Sequence, residues 1–243
     1  MLLGTAQGVA EVVPVSSSAQ LVLLPWLLGW EPPPDRTGFA AALHAGSCMG
    51  IATATDLPDR RTLALVAATC VPAAAAGLLL ADAVEERLGR PRQLAGLLAG
   101  AGVVLWAADR WSPQGRPVGP REAGWAALAQ VAALVPGVSR AGATLTALRL
   151  AGVGRAEAER FSRLMSLPVT AGAAALTLVR SRSVPPGAVA GALAAAGAGA
   201  AATRLVPPGR SATVPAAYRL VLAAAVVVRL HQDRRPRPRK DAS

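Results

Sequence analysis

Cysteine is nearly missing: Cys48 and Cys70 are the two in 243 residues. Such a pair makes neither a disulfide framework nor a thiolate metal site. Both fall inside apolar runs, where a thiol behaves as a small hydrophobe. Charge is scarce too, at 16% of residues, and it is clustered between long runs of Ala, Leu, Val and Gly. A soluble domain carries about 25% and spreads it. Strict alternation of apolar and polar residues is absent, which argues against a membrane β-barrel and leaves helices to satisfy the backbone in lipid. No basic stretch precedes the first apolar run, so a cleaved signal peptide is not expected. Acidic residues number 14 against 25 basic ones, for a net charge of +11. That excess does not call for nucleic acid, because Arg sits in short breaks and in the tail, as membrane topology requires.

What is present is 53% hydrophobic residues and a mean hydropathy of +0.40. The pattern predicts an all-α, polytopic integral membrane protein. Apolar segments are expected at residues 1–30, 39–55, 62–81, 94–108, 124–150, 164–179, 185–203 and 213–230. Two of these, 39–55 and 94–108, are short for a span of about 20 residues; they either extend into their flanks or are interrupted. Trp26, Trp30, Trp106, Trp111 and Trp125 lie near segment ends, as interfacial anchors do. Residues 1–228 read as one membrane domain, and 229–243 as a basic, Pro-rich, disordered tail. Arg229, Arg234, Arg235, Arg237, Arg239 and Lys240 put that tail on the cytoplasmic side, against anionic lipid.

The first apolar segment carries chemistry. In GTAQGVAEVVPVSSSAQL, Gly4, Gln7, Gly8 and Glu11 fall at i, i+3, i+4 and i+7, on one helical stripe. Glycines there let another backbone approach the polar groups. Pro14 ends the regular hydrogen bonding. Ser16, Ser17 and Ser18 follow, offering hydroxyls and amides to an anion at a helix start. A carboxylate one turn before a broken helix in an apolar segment is a functional candidate.

A related pattern returns about 122 residues later. Val9, Val13, Pro14, Phe39 and Gly50 meet Val131, Val135, Pro136, Phe161 and Gly172. Duplication predicts two repeats, about 1–121 and 122–228, inverted in the membrane, with the two breaks facing each other near mid-depth. Each break is expected to end a half-helix and to lead into a re-entrant element. The second break adds Arg140, beside Ser139, with Thr144 one turn on. Arg is permanently charged and its planar fork suits phosphate oxygens. Together these residues suggest a buried site for a phosphate-bearing lipid. Further along, Glu159 and Arg163 at i, i+4 read as an ordinary surface pair.

At these residues the chain resembles the undecaprenyl-diphosphate phosphatases, the bacitracin-resistance integral membrane phosphatases. QGVAEVVPVSSSAQ, Gln7 to Gln20, stands where the family has E-G-x-T-E-F-x-P-V-S-S-[ST]-G-H. PGVSRAGAT, Pro136 to Thr144, stands where it has P-G-x-S-R-S-G-A-T. AERFSRLMSLPVTAGA is similar to a third family stretch, and FAAALHAGSCMGIA to a fourth, with His44 in place of Gln. The resemblance implies hydrolysis of undecaprenyl diphosphate to undecaprenyl phosphate and inorganic phosphate. It implies catalytic Glu11, Ser17 and Arg140, and substrate-binding Gln7, Ser16, Ser18, Gln20, Ser139 and Thr144. It also implies a divalent cation, Mg²⁺, with Glu11 as its protein ligand. The attacking group is water or the Ser17 hydroxyl, with Ser16 as an alternative. Gln7 and Gln20 replace a family Glu and His, and Ala141 replaces a Ser. These departures favour a second reading, a polyprenyl-phosphate binder with slow or no turnover.

Overall fold

The computed structural model describes every residue except 32, 34, 113, 114, 182 and 234–243. The segments expected from the sequence become ten helices among the described residues: α1 (Leu2–Val12), α2 (Ser17–Leu28), α3 (Arg36–Ala52), α4 (Arg60–Leu88), α5 (Pro91–Trp111), α6 (Pro120–Ala132), α7 (Arg140–Leu150), α8 (Arg155–Arg180), α9 (Ala188–Leu205) and α10 (Thr213–Asp233). Five contain stretches long and apolar enough to cross a membrane: Arg60–Leu80 within α4, and α5, α8, α9 and α10. Their outward faces carry exposed Leu63, Val71, Leu79, Leu193, Val221 and Val228, which suit lipid rather than water. This is a multi-pass, all-α membrane protein.

Segment 94–108 extends into its flanks, as one alternative allowed; α3, at 17 residues, stays short. Helix α8 begins at Arg155, so the charged stretch before 164 is its first turns. Helix α10 continues to Asp233, five residues past the expected end of the domain at 228. The rest of the tail lies outside the described residues. Trp106 and Trp111 meet edge to face at 5.4 Å between ring centroids, at the end of α5.

Both interrupted segments are broken where the prolines stand. Helix α1 stops at Val12 because Val13, pushed out of the helical region before Pro14, is extended at φ −89°, ψ 136°. Helix α6 stops at Ala132, and turns carry the chain through Pro136 to α7. At 11–13 residues, α1, α2, α6 and α7 are each about half the length a bilayer requires.

The two halves have equivalent helices in equivalent order, α1–α5 and α6–α10. Helices α5 and α10 are offset by 122 residues at both ends and pack on each other. They run antiparallel: Gly102 faces Arg219, while the later Asp109 accepts from the earlier Ala212. Equivalent helices running in opposite directions make the repeats inverted. Contacts of α4 with α6 and α8 are matched by contacts of α9 with α1 and α3.

Small residues set the closest approaches. A Cβ on Gly4 or Gly8 of α1 would strike the carbonyls of Gly191 or Ala195 on α9; one on Gly46 or Gly50 of α3 would strike those of Ala192 or Ala196. Helix α9 is wedged between α1 and α3 at backbone contact, which fixes the helix that bears Gln7 and Glu11. Gly8→Val should therefore cost about 1–3 kcal/mol through overpacking. The measurement is a drop in the thermal midpoint of the detergent-solubilised protein; Gly197→Val, where no atom lies near the added Cβ, is the control.

Candidate active site

At the two breaks the backbone adopts a matched, strained form. Ser16 and Ser139, which cap α2 and α7, have φ of 71° and 73°. Among the described residues no other non-glycine has positive φ. Such conformations cost on the order of 1–3 kcal/mol each and persist where surrounding structure enforces them. These two serines are offset by 123 residues rather than 122, because the second break carries the extra Gly137. Gly137, at φ 92°, lies against Leu94 and Leu97 of α5.

Glu11 and Arg140, 129 residues apart in sequence, meet between the breaks. Arg140 Nη2 is 3.3 Å from Glu11 Oε2 and donates to the Glu11 carbonyl at 3.2 Å. Its Nη1 donates to the Ser162 carbonyl on α8 at 2.9 Å. Three hydrogen bonds in different directions hold the guanidinium in one pose. The other carboxylate oxygen, Glu11 Oε1, accepts from Ser17 Oγ at 2.7 Å and from Gln7 Nε2 at 2.9 Å. His44 Nδ1 lies 3.4 Å from the same oxygen and 3.1 Å from Gln7 Nε2.

The pair opens on a cavity of about 460 Å³. Glu11, Val13, Pro14, Arg140 and Ala141 form its inner wall; Glu159, Ser162, Arg163, Arg210 and Ser211 form the rest of its polar surface. Glu159 and Arg163 are thus not an exposed pair. Glu159 Oε2 accepts from the Gly209 amide at 2.9 Å, and Arg163 donates to the Thr203 and Val206 carbonyls. Both side chains turn toward the end of α9 and the loop after it, because free carbonyls and an amide there need partners. Arg210 makes no hydrogen bond or ion pair among the described residues and stands exposed at the rim. Its loop is held by Asp109 Oδ2, which accepts from the Ala212 amide at 3.1 Å and from Ser211 Oγ at 3.4 Å. Asp109 is itself paired with Arg155 at 2.7 Å and with Arg149 at 3.3 Å.

The other expected site residues divide. Gln7 and Ser17 join Glu11 directly. Thr144 is buried, accepting or donating at 2.7 Å with Ser162 Oγ and bonding the Arg140 carbonyl; it locks α7 to α8. Ser139 Oγ accepts from the Gly142 amide and caps α7. Ser16 is buried with its Oγ 3.4 Å from that of the exposed Ser18. Gln20 is not among the residues lining the cavity: its amide donates to the Val15 carbonyl and its oxygen accepts from Tyr218 on α10.

Lone intramembrane charge was the signal that singled out Arg140, and the same signal marks Arg219. Arg210, by contrast, had no pattern to distinguish it from other loop arginines.

The sequence model of the bacitracin resistance protein BacA matches residues 1–225. The chain belongs to that family. Among similar proteins, the undecaprenyl-diphosphatase of Gemmatimonas aurantiaca is 42% identical over 194 residues, covering 70% of this chain and 72% of its own length. That of Geobacter metallireducens is 40% identical over 212 residues, covering 76% of this chain and 78% of its own length. The undecaprenyl-diphosphatase of Pelotomaculum thermopropionicum is 35% identical over 257 aligned positions, covering 94% of both chains. Family membership thus extends over both breaks and nearly all of the helical domain.

Proposed function

We propose that this BacA-family protein is an undecaprenyl-diphosphatase, releasing inorganic phosphate from undecaprenyl diphosphate and returning the lipid carrier to cell-wall synthesis. The observation that carries the reading is the Glu11–Arg140 pair, 3.3 Å apart across the two breaks and open to an arginine-lined cavity. Arg140, Arg163 and Arg210 set three cations against the carboxylates of Glu11 and Glu159, an excess of positive charge suited to a diphosphate. The isoprenoid chain would run along the apolar side of the cavity, past Leu145, Val206 and Val214. The surrounding partners are lipids of the cell membrane, with the basic tail on the cytoplasmic side.

In the reaction, Ser17 Oγ attacks the terminal phosphorus as its proton passes to Glu11 Oε1, to which it already donates at 2.7 Å. The bond to the bridging oxygen breaks, and the electron pair leaves with undecaprenyl phosphate. Arg140 stabilises the charge that gathers on the transferring and leaving oxygens. Water then attacks the phosphoserine; the P–Oγ bond breaks, Glu11 returns its proton to Ser17 Oγ, and phosphate leaves. Gln7 holds the carboxylate in place, and His44 holds Gln7.

The residues present do not by themselves fit a protein-held Mg²⁺. Glu11 is the carboxylate at the breaks, and one of its oxygens accepts from Gln7 and Ser17 while the other faces Arg140. Among the described residues no three metal-binding side chains gather. The divalent cation implied by the resemblance would arrive with the diphosphate oxygens.

The test is phosphate release from undecaprenyl diphosphate by the purified protein, beside Ser17→Ala. Wild type should turn over, and Ser17→Ala should lose about 10²–10⁴-fold in rate. Near-normal turnover in Ser17→Ala assigns the attack to water. Lipid binding without phosphate release by wild type establishes the binder instead.

A further inference from the structure

Arg219 lies six residues into α10 and is fully buried in an otherwise apolar stretch. No carboxylate pairs with it among the described residues. Its Nε donates to the Pro14 carbonyl at 2.8 Å, and its Nη1 to the Val138 carbonyl at 3.2 Å. These are the freed carbonyls of the first and second breaks. The remaining Nη2 is buried without a hydrogen-bond partner, against Gly142 in the first turn of α7. The neighbouring Tyr218 strengthens the hold on the first break, donating to Gln20, whose amide bonds the Val15 carbonyl.

Burying a cation with no counter-ion and an amino group left wholly unsatisfied is costly. Its position is also unfavourable, because Nη2 faces the N-terminal end of α7, where the helix dipole is positive. The arrangement is explained if the guanidinium is there for its shape: two donors on a rigid fork reach two carbonyls from different repeats. The inverted relation makes the point sharper. The residue of α5 equivalent to Arg219, at the 122-residue offset, is Leu97, which packs against Gly137. One side of the two-fold arrangement is closed by apolar packing and the other by hydrogen bonds.

We infer that Arg219 clasps the two broken elements to each other and is a positioning residue for the site, acting through the backbones that carry Glu11 and Arg140. It touches neither side chain and does not line the cavity. The activity arm of this inference rests on the phosphatase reading; the exchange arm does not.

The experiment uses the full chain in lipid nanodiscs, comparing wild type with Arg219→Gln, Arg219→Lys and Gly142→Ala. The last keeps the arginine but places a methyl where the guanidinium lies. Amide hydrogen exchange is read by mass spectrometry over residues 13–18, 136–142 and, as a control, α9; phosphate release gives kcat and KM. Arg219→Gln should speed exchange about ten-fold or more in both breaks and not in α9. It should also lower kcat about 10²-fold, as misplaced catalytic groups do, with KM within about three-fold. Arg219→Lys should restore neither, since one ammonium cannot serve both carbonyls. Gly142→Ala should show the same signature more weakly, and it carries the test if Arg219→Gln does not fold. Wild-type exchange at either break in the folded variants, or full recovery by Arg219→Lys, overturns the inference. Loosened breaks together with an inactive wild type would instead leave the clasp standing and remove the phosphatase reading.

Discussion

Glu11→Gln should lower turnover by about 10²–10⁴-fold, the range attached to a positioned general base, with little change in folding or in lipid binding. The amide keeps the shape of the carboxylate and can still accept from Ser17, but it cannot take the hydroxyl proton. Breaking a buried ion pair commonly costs stability because a charge is left alone. Here Arg140 retains its bonds to the Ser162 carbonyl and to the backbone carbonyl of residue 11, so the loss should appear in kcat rather than in expression or thermal midpoint. Equal hydrolysis by Glu11→Gln and wild type would remove Glu11 from the chemistry.

Arg140→Lys is the second large effect. Lys preserves the charge that offsets Glu11, so the pair is not simply broken. What it removes is the fork that bonds the Ser162 carbonyl from one nitrogen and Glu11 from another. A flexible ammonium cannot hold both walls of the cavity and also meet phosphate oxygens in a fixed plane. Turnover should fall about 10²–10³-fold, the scale seen when a preorganised donor to a transition state is lost. Because this cation also binds the ground-state diphosphate, KM should rise as well. Unchanged kcat and KM in Arg140→Lys would show that the fork has no part in the site.

How much of this was legible beforehand depended on the kind of signal. Glu11 and Arg140 stood out because a charge inside an apolar run is expensive and must be explained. Pro14 and Pro136 announced the breaks because proline removes a donor and disfavours the helical region before it. The meeting of the breaks followed from the repeat. By contrast, Glu159 and Arg163 were misassigned because i, i+4 spacing on a helix fits a solvated pair, and sequence does not reveal the loop folded over that face. Gln20 was drawn into the site by its place in the first motif, whereas Tyr218, 198 residues away, holds it elsewhere. His44 entered only through resemblance, yet it stands 3.4 Å from the carboxylate. Such long-range partnerships belong to the packing of helices, and no local pattern encodes them.

The course of α10 bears on the sidedness of the reaction. The cavity reaches Val214 and Pro215 at the start of this helix. Its 21 residues then rise about 1.5 Å each, enough to cross the roughly 30 Å of hydrocarbon. Asp233 at the end of α10 therefore lies about one membrane thickness from the cavity-lining residues at its start. Were the end of α10 to face the cytoplasm, as proposed, phosphate would be discharged on the exterior side, and the carrier would lose its terminal phosphate before turning inward. Release of phosphate from proteoliposomes of known orientation thus becomes a vectorial quantity, set by one helix and the charge at its end.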